Sequence, residues 1–226
     1  MPPVAILAGG LGTRLYPLTE RMPKALIEIH GEPFLAHQLR LLRARGFERV
    51  VLCIGQHGER IRAYAGDGAR FGVEIDYSCD GPVLRGTAGA IRQALPLLGD
   101  AFFVLYGDSY LPCSYRAMER AFRVSGKPGL MTVYHNRGRW DKSNVEFADG
   151  RIVAYDKENR TSRMQYIDYG LGVFSASAFG GQQADLAGVY QELLRRDELA
   201  AFEVRERFYE AGSWRGIQEL SEYLKS

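Results

Sequence analysis

Short runs of β-branched and aromatic residues alternate, in the first half of this chain, with stretches whose apolar positions recur every three or four residues. Val4–Leu7, Arg49–Ile54, Val73–Tyr77 and Ala101–Tyr106 read as strands. The last of these, AFFVLY, is apolar almost throughout, the mark of a strand covered on both faces. Between the strands, Pro33–Arg45 sets Leu35, Leu39 and Leu42 on one helical face, and Glu59–Tyr64 and Thr87–Leu95 read as shorter helices. A further helix is predicted from Tyr115, with Ser114 as its N-cap and Met118, Ala121 and Phe122 as its apolar face. Such alternation predicts an α/β fold: a Rossmann-like, mostly parallel sheet flanked by helices.

In sheets of this kind ligands gather beyond the C-terminal ends of the strands. Three segments follow predicted strand ends: a Gly-rich loop after Leu7, Gly86–Gly89 beyond the Val73–Tyr77 strand, and Gly107–Asp108 after Tyr106. One site can therefore collect all three. After Gly126 the pattern changes to strands with little helix between them: Leu130–His135, Ser143–Phe147, Arg151–Tyr155 and Tyr166–Phe174. Asp149-Gly150 is the preferred sequence of a two-residue hairpin. This part predicts a small, mostly antiparallel subdomain that roofs the site. A helix over Leu186–Leu194 and a final helix with Ile217, Leu220 and Leu224 on one face close the chain.

Composition narrows the function. With 226 residues the chain suits a single domain, and 46% hydrophobic residues can build a full core. Its 29 basic and 27 acidic residues leave a net charge of +2, without the basic stripe of a nucleic-acid binder. Cys53, Cys79 and Cys113 are odd in number and widely spaced, which argues against a disulfide framework or zinc site and for a reducing cytoplasm. The opening MPPVAILAGG is too short in its apolar run for a signal peptide or membrane span, so a cytoplasmic protein without membrane partners is expected. His30, His37, His57 and His135 show no ligand spacing.

The most informative segment is LAGGLGTRLYPLT, Leu7–Thr19, continuing to Pro23-Lys24-Ala25. Gly9, Gly10 and Gly12 permit positive φ and let backbone N–H groups approach an anion. Thr13 adds a hydroxyl, Arg14 a planar fork suited to phosphate oxygens, and Lys24 a point charge. A plain Gly-rich turn is one rival reading. A nicotinamide-binding loop is another, but that fingerprint opens straight into a helix, whereas Pro17 disfavours helix just before it. Asp108, at a predicted strand end beside this loop, suits Mg²⁺, which takes carboxylate and phosphate oxygens.

Gly9-Gly10-Leu11-Gly12-Thr13-Arg14-Leu15, then Pro17-Leu18-Thr19 and Pro23-Lys24, resembles the signature of sugar-1-phosphate nucleotidyltransferases. The length is similar to a short bacterial branch that includes heptose-1-phosphate guanylyltransferases and N-acetylmuramate-1-phosphate uridylyltransferases. The resemblance implies a nucleotide-diphospho-sugar transferase fold over 1–226, with 1–125 binding the nucleotide and 126–226 binding the sugar and closing the site. It implies Mg²⁺-dependent transfer of a nucleotidyl group from a nucleoside triphosphate to a sugar 1-phosphate, with release of pyrophosphate. Arg14, Lys24 and Lys157 would be catalytic. Leu7, Ala8, Gly9, Gly10, Gly12 and Thr13 would line the nucleotide, with Asp80, Gly86 and Thr87 toward the base. Asn144, Asp168, Tyr169 and Gly170 would meet the sugar, and Asp108 with Glu210 would hold the metal. Glu210 stands where the family usually has aspartate, Ser109 where many relatives have threonine, and Pro82–Arg85 runs about one residue longer than usual.

Several alternatives stay open at this point. An idle nucleotide-binding homologue is compatible with Glu210. A cytidylyltransferase acting on a phosphate such as phosphocholine would need an aromatic cage, for which Trp140, Tyr166 and Tyr169 are candidates. Base, sugar and any homo-oligomer are left open.

Overall fold

The structure, a computed structural model, describes residues 1–10, 12–20, 22–81 and 85–225. Its order begins with β1 (Val4–Leu7), β2 (Glu28–Ile29), β3 (Glu32–Pro33), α1 (Phe34–Ala44), β4 (Arg49–Ile54), α2 (Gly58–Ala65), β5 (Glu74–Cys79) and α3 (Gly86–Leu98). It continues with β6 (Ala101–Tyr106), β7 (Ser109–Tyr110), α4 (Tyr115–Ser125), β8 (Gly129–Tyr134), β9 (Val145–Ala148) and β10 (Arg151–Tyr155). The last elements are β11 (Ile167–Ser175), α5 (Leu186–Arg195), β12 (Leu199–Val204), β13 (Tyr209–Glu210) and α6 (Trp214–Tyr223). Three-residue 3₁₀ turns at Thr13–Leu15, Leu18–Glu20 and Lys24–Leu26 fill the stretch after β1.

Seven strands form the central sheet in the order β12-β8-β11-β6-β1-β4-β5. Strand β1 lies at its heart, parallel to β4 with Leu7 opposite Cys53 and parallel to β6 with Leu7 opposite Tyr106. Alternation along these strands decides which layer each side chain joins. Val4, Ile6, Leu52 and Phe103 pack with Leu35, Leu39 and Leu42 of α1. Ala5, Val51, Phe102 and Val104 pack on the other side with Ile91 and Ala94 of α3. Each such large apolar side chain, once out of water, contributes about 1.5–3 kcal/mol.

The second half departs from the expected roof. Strands β8, β11 and β12 extend the central sheet, with β12 parallel to β8 and β11 antiparallel to both β8 and β6. The small antiparallel part is the β9–β10 pair, which stands apart from the central sheet and is joined by Asp149 and Gly150 at φ 51° and 75°, both in the left-handed region that a tight hairpin requires. The reason is legible in burial: seven of the nine residues of β11 are buried, so it needs cover on both faces, which a half-exposed roof would not supply. Strand β12 was missed because Ala200 and Ala201 dilute its β-branched character. Ser114 does precede α4, but its side chain makes no capping hydrogen bond. Asp185 and Ser213 do cap, accepting from the Gly188 and Gly216 N–H groups at 2.8 and 3.0 Å.

Gly172 of β11 is set by packing. An added Cβ there would lie 2.2 Å from the Tyr190 hydroxyl and 2.6 Å from the Phe174 ring, both buried. Gly172→Ala should therefore destabilise the protein by about 1–3 kcal/mol in urea unfolding; unchanged stability would mean that this layer is looser than described.

Candidate functional site

The parallel strands β1, β4, β5 and β6 deliver their C-terminal ends to one edge of the sheet. After β1, Gly9 passes so close to the Gly55 backbone that an added Cβ would lie 3.2 Å from its nitrogen. Gly12 turns the chain at φ 64° into the Thr13–Leu15 3₁₀ turn, and its carbonyl accepts from Thr19 Oγ1 at 2.8 Å. Leu15 is buried and anchors the turn, which leaves Arg14 pointing outward with a side chain 62% exposed. Among the described residues the loop opens into this short 3₁₀ turn rather than an α-helix, so the nicotinamide geometry is missing. Leu11 lies outside the described residues.

Gly107 lets the Asp108 turn lie directly on β1: its N–H donates to Leu7 O at 3.1 Å, and a Cβ would meet that oxygen at 2.4 Å. The Asp108 carbonyl accepts from Ala211 N–H at 2.7 Å, next to the β7–β13 ribbon in which Glu210 pairs with Ser109. That ribbon brings residues a hundred positions apart into one place. Lys24 Nζ donates to Asp108 Oδ2 at 2.8 Å, and an Arg14 guanidinium nitrogen stands 3.8 Å from the same oxygen. Gly212 marks the meeting point, since a single added methyl would approach Glu210 at 2.5 Å, Asp108 at 2.6 Å and Arg14 at 2.8 Å.

Glu210 accepts from the Gly212 N–H at 2.5 Å and from the Ser213 hydroxyl. Burial pushes its carboxyl above the usual range; the Ser213 bond opposes this and the charge of Asp108 adds to it. Two carboxylates that strain against each other favour a shared cation. No group of three His, Cys, Asp or Glu side chains converges among the described residues. The donor set is thus two hard carboxylates, which fits Mg²⁺ completed by phosphate oxygens and water.

Two cavities open on either side of Asp108 and Tyr106, which line both. The first, about 240 Å³, is bounded by Leu7, Ala8, Gly9, Gly10, Lys24 and Asp80, with Gly86 and Thr87 beyond them. Gly12 and Thr13 line neither cavity. The α3 end of the first cavity is more committed than the sequence suggests. Ala88 and Gly89 N–H groups both donate to Ala184 O, and the Thr87 hydroxyl accepts from Leu186 N–H at 2.8 Å. Gly86 sits at φ 73° with room for no side chain, because a Cβ would come 2.3 Å from Ala184 O. These groups dock α5 onto α3 as well as bordering the cavity. Asp80 is 8% exposed, and burial raises its carboxyl pKa while Arg85 partly opposes the rise. Residues 82–84 of the longer Pro82–Arg85 stretch lie outside the described residues.

The second cavity, about 390 Å³, is bounded by Arg14, Asn144, Lys157, Asp168, Gly170 and Glu210. A bulge in β11 between Asp168 and Gly172, with Gly170 at φ 91°, turns this stretch toward it. Lys157 Nζ stands 3.6 Å from Asp168 and 3.3 Å from the Tyr106 hydroxyl. Burial works against its charge, but the Asp168 carboxylate and Tyr106 outweigh it and hold the ammonium above the ordinary lysine range. Asp168 also accepts from Tyr155 OH at 3.2 Å and from Gly170 N–H at 3.1 Å. The Asn144 Oδ1 accepts from Asp168 N–H at 2.9 Å, so Asn144 holds the cavity wall as well as lining it. Tyr169 borders the cavity, but its ring is buried against Tyr134 and Phe208; it packs rather than presenting its hydroxyl.

The three candidate aromatic residues do not converge into a cage. The Trp140 ring is covered by the Arg207 guanidinium, Tyr166 stacks on His135, and Tyr169 is buried. Two residues escaped the sequence reading. Tyr106 bridges the cavities, with burial and then the charge of Asp168 pushing its hydroxyl up to about 12. Gln38, wholly buried on α1, donates to the carbonyls of Tyr106 at 3.3 Å and Ser109 at 2.8 Å, straddling Asp108. A glutamine among the leucines of an amphipathic helix was the available signal.

A family model described as "Nucleotidyl transferase" matches residues 4–144. A glucose-1-phosphate thymidylyltransferase of Streptomyces antibioticus is 33% identical over 69% of this chain and 44% of its own length. An N-acetylmuramate alpha-1-phosphate uridylyltransferase of Neisseria meningitidis serogroup B is 42% identical over 46% of this chain and 45% of its own length. The chain spans under half the length of these curated relatives. Among solved structures, HddC from Yersinia pseudotuberculosis complexed with GMP-PN superposes with a TM-score of 0.81 over 99% of this chain and 100% of that one, at 22% identity. That likeness establishes the fold.

Asp80 yields a pH test. A carboxyl whose folded pKa is raised binds its proton more tightly when folded, so it supports stability at low pH and loses that support as pH rises above about 4. Melting temperatures of the wild type and Asp80→Asn should therefore diverge between pH 4 and pH 7, with the wild type falling relative to the variant; parallel curves would contradict the burial of this charge.

Proposed function

The chain belongs to the nucleotidyl transferase family, and on that premise we propose that it transfers a nucleotidyl group from a nucleoside triphosphate to a sugar 1-phosphate, releasing pyrophosphate. The observation that carries this reading is the pair of cavities that meet at Asp108 and Tyr106, with Arg14, Lys24 and Lys157 around the junction. Two ligands bound there would present their phosphates to each other.

The nucleotide occupies the first cavity, its base toward Asp80 and its phosphates along the Gly loop, where backbone N–H groups, Arg14 and Lys24 answer the negative charge. The sugar occupies the second cavity, with its phosphate at Lys157. Because Lys157 is held by Asp168 and Tyr106, it meets that phosphate in a prepared position. An oxygen of the sugar phosphate attacks the α-phosphorus; the new P–O bond forms as the bond to the bridging oxygen breaks, and pyrophosphate leaves with the electron pair. Positioning and charge stabilisation suffice for such a displacement, and no side-chain nucleophile takes part. Mg²⁺ held by Asp108 and Glu210 would neutralise phosphate charge at the junction. Retention of Arg14, Lys24, Asp108 and Lys157 in one site favours an active enzyme over an idle homologue, and the engaged aromatic residues favour a sugar over a quaternary ammonium acceptor. The free, widely spaced cysteines Cys53, Cys79 and Cys113 support a reducing, cytoplasmic setting; no helix among the described residues is long and apolar enough to cross a membrane.

The test is pyrophosphate release with Mg²⁺, crossing four nucleoside triphosphates against heptose, hexose and N-acetylated sugar 1-phosphates. Release should need one nucleotide and one sugar phosphate together. Arg14→Ala and Asp108→Ala should each lower turnover about 100- to 1,000-fold with folding retained, whereas Lys157→Ala should chiefly raise the KM for the sugar phosphate. Near-normal turnover in the first two variants would remove the mechanism.

A further inference from the structure

The loop 136–143 is held by its own hydrogen bonds. Asn136 is wholly buried at its centre, where its side-chain nitrogen donates to Asp141 O at 2.6 Å and Ser143 Oγ at 3.1 Å, and its oxygen accepts from Trp140 N–H at 3.2 Å. Trp140 projects from this loop onto Arg207, whose guanidinium carbon lies 3.3 Å from the centre of the Trp140 ring and 4.8 Å from that of Tyr209. Glu219 of α6 forms an ion pair with the same guanidinium. Arg207 Nε is buried without a hydrogen-bond partner, a cost that a solvent-facing rotamer would escape. Stacking and the ion pair therefore hold this conformer.

The stack lies outside the second cavity, yet it joins two of its walls. Trp140 is followed by Asp141 and Lys142, which line that cavity, and Tyr209 lies between Phe208 and Glu210, which line it too. We propose that Arg207 is a positioning residue that clamps the 136–143 loop to the strand carrying Glu210 and thereby sets affinity for the acceptor without touching it. This rests on the reading of the second cavity as the acceptor site. Trp140, Arg207, Tyr209 and Glu210 do not line the nucleotide cavity, which meets this strand only through Asp108, so the clamp acts chiefly on the acceptor.

The chain has two tryptophans, and Trp214 is 60% exposed, so a Trp214→Phe background leaves Trp140 as the sole reporter. In that background Arg207→Ala should raise acrylamide quenching of Trp140 severalfold. It should also raise the KM for the sugar 1-phosphate that the wild type turns over by about tenfold, with the KM for the nucleoside triphosphate within about twofold. Arg207→Lys should fall between, because an ammonium keeps the charge but loses the planar stack. Trp140→Leu, which removes the stack from its other side, should reproduce the KM split and serves if Arg207→Ala does not fold. Unchanged quenching, or two KM values that move together, would overturn the proposal. If the wild type releases pyrophosphate with no substrate pair, the acceptor reading fails instead, while the quenching comparison still decides whether the clamp exists.

Discussion

The charge of Asp108 is the constraint around which this molecule is arranged. A carboxylate just beyond the end of β6 must be answered: two parts of the chain bring cations to it, and two more fix the backbone around it. The Gly loop brings Arg14, the next turn brings Lys24, α1 sends Gln38 beneath the backbone, and the β7–β13 ribbon carries Glu210 alongside. Each arrives from a different distance in sequence, and each is fixed by backbone contacts as well as by its own side chain. Gly107 and Gly212 are the places where these parts touch, and both leave no room for a methyl group.

The same economy governs the second cavity. Strand β11 is the only member of the central sheet, among the described residues, that runs against its neighbours, and its bulge falls where Asp168 must reach Lys157 and Tyr155. An uninterrupted strand would send Asp168 along the regular pleat. The bulge turns it toward the cavity, and Asn144 and the Gly170 N–H hold it there. Asp168 upholds the charge of Lys157 against burial, and Tyr106, which bonds the same lysine, also lines the other cavity. The two cavities thus share a wall that carries polar groups on both faces.

Much of this was legible from residues alone. Strands β1, β4, β6 and β10 begin and end where the apolar runs do, because their burial demands continuous or alternating apolar residues. That the Gly loop and Asp108 meet was legible because both follow ends of neighbouring strands, whereas Glu210 was named only through the family resemblance. The sheet order of the second half was not, since a strand's pattern reports how many faces are covered but not which neighbour covers them. The two-residue strands β7 and β13 carry no pattern of their own, and they exist because the Asp108 turn offers an edge. Thr87 looked like a ligand contact for the same reason that it docks α5: a hydroxyl at a helix start serves either partner.

On the proposed function, a single direct displacement joins two ligands that face each other across Asp108 and Tyr106. Turnover of a nucleoside 5′-(1-thiotriphosphate) of known configuration at the α-phosphorus tests it most directly. One in-line attack by the acceptor phosphate predicts inversion of configuration in the product. Retention would require a covalent nucleotidyl-enzyme intermediate, and would contradict a site whose side chains only bind, orient and neutralise.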